Sequence, residues 1–171
     1  MKLYIGCAEL PIHKYHYRFI DDTWTLIDLY VDDPRIVKMD ARVLIYDDNT
    51  VEEIYSSHLL EHLARKEIVP TLKEWYRVLE PQGKLRLNVP DLKWACKAML
   101  GDEKSDYFDT EEKMLDIFYG NQVHKGEFHK TGFTLRLLQK YLFDAGFTDI
   151  GIVSEYEAHD MTCLLATAIK P

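Results

Sequence analysis

Residues 51–89 read VEEIYSSHLLEHLARKEIVPTLKEWYRVLEPQGKLRLNV, and this run decides the fold. Two short apolar-rich stretches, Glu52–Ser57 and Lys84–Val89, flank a segment of different period. From Glu67 to Leu79 the apolar residues Ile68, Leu72, Trp75 and Leu79 recur at spacings of 4, 3 and 4, which is one face of a helix. A strand, a crossover helix and a second strand make a parallel pair, with the helix covering the sheet. Pro70 is expected near the first turn of that helix, where a missing N–H costs little. Glu80-Pro-Gln-Gly83 reads as a turn, and Pro90 is expected to stop the second strand.

The pattern extends in both directions. Lys2–Cys7, Trp24–Leu29 and the weaker Arg35–Met39 read as three earlier strands. Downstream, Lys113–Tyr119 and Thr134–Ala145 read as helices, the latter with Leu135, Leu138 and Leu142 in a stripe. Thr134 is the expected N-cap, and Gly146 the left-handed residue that ends the helix. Asp149–Tyr156 and Cys163–Ile169 complete seven strands and predict an antiparallel hairpin at the sheet edge. Gly101–Glu112 carries six acids (Asp102, Glu103, Asp106, Asp109, Glu111 and Glu112) against Lys104 alone, so it reads as a solvated connection. The expectation is one α/β domain over residues 1–171, with a doubly wound, mostly parallel sheet.

Composition narrows the function classes. With 21 Lys+Arg, 29 Asp+Glu and a net charge of −8, the chain lacks the basic balance of a protein that binds nucleic acid through its phosphates. No run approaches the roughly 18 apolar residues of a membrane span, and the N-terminal apolar run is short for a signal peptide. Cys7, Cys96 and Cys163 are odd in number and lack CxxC spacing, which predicts no disulfide framework and a reducing, cytoplasmic setting.

Four constellations carry candidate chemistry. Gly6 ends the first strand and Asp28 the second, at the interval of about 20 residues that places an acid beside a ribose in a doubly wound sheet. A turn glycine and a surface acid read equally well at this point. Asp40-Ala41, after the third strand, suits an adenine amino group and ring nitrogen, or simply a turn aspartate. Ser57-His58-Leu-Leu-Glu61-His62 has the H-x-x-E-H spacing of inverted zinc peptidases, but it directly follows a strand and a third ligand is not evident. Rim histidines without a metal are the expectation. His124 and His129 lie in a polar loop after the fifth strand, either as proton acceptors or as surface histidines. Cys7 has no base partner nearby in sequence, and His13, His16 and His159 have no constellation around them.

Together these segments resemble the class I S-adenosylmethionine-dependent methyltransferases, in particular the small bacterial type. The resemblance runs from Lys2 to about Phe147, and its most specific parts are Val51–His62, Leu72–Gly83 and Leu85–Asp91. It implies a Rossmann-like fold and S-adenosylmethionine as cofactor, with S-adenosylhomocysteine as product. Leu3–Glu9, with Gly6, Cys7 and Ala8, is similar to the glycine-rich motif that cradles the cofactor's amino-acid part. Asp28 and Leu29 fall at the ribose, Asp40 and Ala41 at the adenine, and Ser57, His58 and His62 on the cofactor's other side. Tyr4 replaces the motif's acid, Ala8 its second glycine and Leu10 its third, and Ala8 is expected at negative φ. Pro11–Asp22 takes the place of the family's first helix.

The resemblance implies methyl transfer to a small-molecule or glycan-type acceptor, with His129 or His124 as candidate base and no metal. A non-catalytic nucleotide- or partner-binding protein is the alternative. Because the first strand begins at residue 2, the acceptor site is expected either to be open or to be walled by a second subunit of a homo-oligomer.

Overall fold

The structure is a computed structural model that describes residues 1–8, 19–105, 108–156 and 161–171. The segment Pro11–Asp22 that stands in place of a first helix, together with Leu10, His13, His16, Asp106 and His159, falls wholly or largely outside the described residues. Among the described residues, seven strands appear in chain order: β1 (Lys2–Ile5), β2 (Trp24–Asp28), β3 (Ile36–Lys38), β4 (Val51–Ser57), β5 (Leu79–Pro90), β6 (Thr148–Tyr156) and β7 (Thr162–Ile169). Four α-helices of the described residues accompany them: α1 (Arg65–Val78), α2 (Leu92–Met99), α3 (Glu111–Tyr119) and α4 (Leu135–Ala145). The sheet order is β3-β2-β1-β4-β5-β7-β6. The first five strands are parallel, and β7 runs antiparallel between β5 and β6. This is the doubly wound sheet with a C-terminal hairpin that the alternating pattern predicts. No helix among the described residues is long and apolar enough to cross a membrane.

Alternation along the strands splits the core between the two faces. Leu3 and Ile5 of β1, and Leu164, Ala166 and Ala168 of β7, join Ile68, Leu72 and Trp75 of α1 and Leu138 and Leu142 of α4. At roughly 1.5–3 kcal/mol per fully buried large apolar side chain, this layer dominates the stability. On the opposite face Tyr4, Cys7, Trp24, Ile36 and Tyr55 cluster, and Trp94, Met114 and Ile117 pack with Met161 and Cys163. Tyr4, at the motif's acidic position, is 2% exposed and lies 5.0 Å from the Tyr55 ring. It serves the core and does not face a ligand.

Three local expectations need correction. Pro70 lies in the second turn of α1, because the helix starts at Arg65. The carbonyl it leaves without an N–H partner is on the exposed residue Lys66, where water can satisfy it. The turn at Glu80–Gly83 is a bulge inside β5, with Gln82 at φ +67° and a register shift opposite Val51 and Glu53. Helix α2 has no counterpart in the sequence reading; Asp91 caps it by accepting the Lys93 N–H at 2.9 Å. The expected caps of α4 are present, with Thr134 Oγ1 accepting from Leu137 and Gly146 at φ +106°.

Candidate active site

The carboxyl ends of the parallel strands carry the site. In open α/β sheets these ends, at the point where strand order reverses, form the ligand crevice, and here β1 is that point, with β2 on one side and β4 on the other. A cavity of 640 Å³ opens there, lined by Gly6, Ala8, Asp28, Leu29, Asp40, Ala41, His58, His62 and His124, among others. Its volume falls within the roughly 300–1,000 Å³ of small-molecule pockets. Cys7 and Ser57 do not line it. Both side chains turn inward, the thiol into the Tyr4–Tyr55 cluster and the Ser57 hydroxyl into the buried interior.

The β1 loop is shaped by its backbone. Gly6 has φ +75°, and a Cβ there would run into Leu59 Cδ1. Ala8 has φ +55°, not the expected negative value, so a side chain occupies a left-handed position. The loop is held by Asp28: Oδ2 accepts the Ala8 N–H at 3.1 Å, and Oδ1 accepts the N–H groups of Tyr30 at 2.8 Å and Val31 at 3.2 Å. A carboxylate has about four lone-pair sites, so Asp28 retains capacity toward the cavity. Burial, with the nearby charges of Asp28 and Asp33, pushes the Cys7 thiol up to about 12.

The Asp40–Ala41 turn is anchored from below. Buried Trp75 of α1 donates its indole N–H to the Ala41 carbonyl at 2.8 Å. Meanwhile the Ala41 N–H meets no acceptor among the described residues and stays available at the cavity wall. Arg42 forks onto Asp40 at 2.9 and 2.6 Å and reaches Glu67 at 2.6 Å. These bonds hold the Asp40 carboxyl below its ordinary value. An unpaired backbone donor beside a carboxylate, and a second carboxylate at the end of the neighbouring strand, suit a nucleoside.

His58, Glu61 and His62 do not share a helical face. His58 has φ +49° directly after β4, and Leu60–His62 form a 3₁₀ turn. The H-x-x-E-H spacing thus lacks the helix a peptidase needs. His58 Nδ1 lies 3.1 Å from Glu61 Oε1, and its Nε2 lies 3.7 Å from Cys163 Sγ. Glu61 is 1% exposed. Burial opposes its ionisation, yet the His58 hydrogen bond and the neighbouring imidazoles outweigh this and keep its pKa below the ordinary value. Burial also holds His62 below its ordinary value.

A second cavity of 260 Å³ adjoins, lined by Glu61, Ile117, Phe118, Tyr119, His129 and Phe133, among others. Lys130 lines both cavities. The loop after α3 closes onto the 3₁₀ turn through the N–H groups of Lys130 and Thr131, which donate to the Glu61 carbonyl at 2.7 and 3.1 Å. That docking brings His129 against His62, with ring centroids 4.8 Å apart. His129 therefore lines the smaller cavity and His124 the larger. His124 is engaged on both sides, Nδ1 accepting the Gly126 N–H at 3.1 Å and Nε2 lying 3.1 Å from Glu127. Lys130 was not foreseen from the sequence, because it reaches the site only through the loop docking.

Residues 21–87 match the family model of a methyltransferase domain. The match spans β2 through most of β5, and with them Asp28, Asp40 and the 3₁₀ turn. No curated protein sequence matches the chain. Among solved structures, an S-adenosylmethionine-dependent methyltransferase from Methanosarcina mazei is similar with a TM-score of 0.68 at 18% identity, over 99% of this chain and 91% of that one. The 1,6-didemethyltoxoflavin-N1-methyltransferase of Burkholderia thailandensis, solved with 1,6-didemethyltoxoflavin and S-adenosylhomocysteine, has a TM-score of 0.64 at 17% identity, over 99% and 70%. A phosphoethanolamine N-methyltransferase 2 from Haemonchus contortus has a TM-score of 0.64 at 13% identity, over 99% of this chain and 48% of its own length. At these identities the likeness is one of fold. These likenesses show the fold of the chain, and within it residues 21–87 match the model of a methyltransferase domain.

Proposed function

We propose that the protein transfers a methyl group from S-adenosylmethionine to a small-molecule or glycan-type acceptor. The observation that carries this reading is the pair of adjoining cavities. The larger presents Asp28, Asp40 and the Ala41 N–H at the strand ends, and the smaller presents Glu61 and His129. The cofactor, when bound, supplies an activated methyl and its leaving group. Asp28 would accept the ribose hydroxyls, and the Ala41 N–H with Asp40 would read the adenine edge. The chain's remaining contribution is orientation, holding an acceptor nucleophile in line with the methyl.

The smaller cavity suits a compact acceptor whose apolar body packs on Ile117, Phe118 and Phe133 and whose protic group faces Glu61 and His129. His129 Nδ1 lies 2.9 Å from the Ile117 carbonyl and so carries the hydrogen, leaving Nε2 with an available electron pair. Of the two candidate histidines, His129 is the one on this cavity. Three free thiols fit a reducing compartment, the cytoplasm.

Calorimetric titration with S-adenosylhomocysteine tests the cofactor site. One equivalent bound, with a loss of affinity in Asp28→Ala, is expected; no heat at millimolar ligand would overturn the reading. A second reading, a nucleotide binder without turnover, rests on the side chain at Ala8 and the Arg42 clamp on Asp40. Binding combined with no methyl transfer to any of a broad acceptor panel would favour it.

A further inference from the structure

The 3₁₀ turn and the loop after α3 bring together a donor set that methyl transfer does not require. One ligand atom from each of Glu61, His62 and His129 lies within 4.8 Å of the other two. Both imidazoles present Nδ1 to a backbone carbonyl. His62 Nδ1 lies 3.3 Å from the Phe128 carbonyl and His129 Nδ1 lies 2.9 Å from the Ile117 carbonyl. A carbonyl only accepts, so each Nδ1 carries its hydrogen, and each Nε2 is left as the nitrogen with a lone pair. Backbone carbonyls that fix the tautomer in this way are the usual outer support of metal-bound histidines.

Glu61 supplies the independent observation. Its side chain is 2% exposed, Oε1 is engaged by His58, and Oε2 has no hydrogen-bond partner although it is fully buried. A buried carboxylate oxygen without a partner is costly, the more so when it is charged. A cation satisfies it directly.

We infer that Glu61, His62 and His129 form a binding site for a divalent transition-metal ion of the zinc class. Two imidazole nitrogens and one carboxylate oxygen suit zinc, cobalt, nickel or iron, whereas magnesium and calcium favour all-oxygen sets. Tetrahedral ligands at about 2.1 Å from zinc lie about 3.4 Å apart. The three ligand atoms, at most 4.8 Å apart, would close to that spacing when an ion binds. Three protein ligands leave a coordination position open, and the 260 Å³ cavity lined by Glu61 and His129 gives room there for water or an acceptor oxygen. The inference goes beyond the methyl-transfer reading and stands without it. When the ion is bound, the His129 Nε2 electron pair belongs to it and is not a general base.

The test uses the whole protein, stripped with a chelator and dialysed. Titration with Co²⁺ is followed by its visible absorption, then Zn²⁺ is added. One equivalent of Co²⁺ with the intense absorption of a four- or five-coordinate ion, displaced by one equivalent of Zn²⁺, is expected. His129→Gln and His62→Gln, each checked for folding by circular dichroism, should each weaken binding at least about tenfold. No such absorption in the wild-type protein, or unchanged affinity in a folded His129→Gln, would overturn the site. S-adenosylhomocysteine titrated in parallel separates the two claims. Retained binding of that ligand with no metal response removes the metal site alone, whereas one equivalent of metal without it removes only the cofactor reading.

Discussion

Asp28 Oδ2 accepts the Ala8 N–H at 3.1 Å, tying the carboxyl end of β2 to the loop that leaves β1. The same carboxylate organises the start of the next connection through Tyr30 and Val31. A single acid therefore shapes both walls of the larger cavity and still has a lone pair on Oδ2 to offer. Asp28→Ala should lower the affinity for S-adenosylhomocysteine at least about tenfold, since each hydrogen bond to a charged group contributes about 1.5–3 kcal/mol. Calorimetry measures this, and an unchanged affinity would place the ribose elsewhere.

Gly6 combines a left-handed backbone with close packing under Leu59. Gly6→Ala meets both obstacles, the conformational strain of roughly 1–2 kcal/mol and the collision with the Leu59 side chain. A fall in denaturation midpoint together with weaker S-adenosylhomocysteine binding is expected. Ala8→Gly, which relieves strain at φ +55°, should not destabilise. Destabilisation by Ala8→Gly equal to that of Gly6→Ala would contradict a left-handed backbone at Ala8.

Trp75→Phe removes the indole N–H from a buried 2.8 Å bond and leaves the Ala41 carbonyl unpaired. The expected cost is about 1–3 kcal/mol in urea unfolding. Cofactor affinity should fall as well, because Ala41 loses the anchor that aims its N–H at the cavity. A stability loss with unaltered affinity would separate the Trp75 anchor from the binding site.

Cys7 sits beside the cavity loop yet should be inert. With its thiol pushed up to about 12 and 4% of the residue exposed, almost no thiolate is present at pH 8. Iodoacetamide at that pH should label exposed Cys96 in the native protein and reach Cys7 and Cys163 only after denaturation. Mass spectrometry of peptides reads the order, and native labelling of Cys7 at the Cys96 rate would contradict its placement.

What the sequence made legible is what periodicity and strand ends determine. Alternating and 3.6-residue patterns place the seven strands, α1 and α4, and they put Gly6, Asp28, Asp40 and His58 at one edge before any coordinates. Short or non-local features stay hidden. Helix α2 has eight residues directly after a proline-ended strand, too few turns for a stripe to show. Lys170, 8% exposed, donates through Nζ to the Tyr76 and Leu79 carbonyls at the end of α1, a cap formed across the whole chain. His129 joins Glu61 and His62 only because Lys130 and Thr131 dock on the Glu61 carbonyl. Residue type alone does not announce such a contact.

On the proposed function, the 640 Å³ cavity at the carboxyl ends of β1–β4 holds the methyl donor and faces the smaller cavity beyond it. A crystal structure with S-adenosylhomocysteine tests it most directly. The ribose hydroxyls are expected on Asp28, the adenine edge at the Ala41 N–H, and the sulfur directed toward Glu61 and His129. Ligand bound at another place on the sheet, or no ligand at saturating concentration, would contradict it.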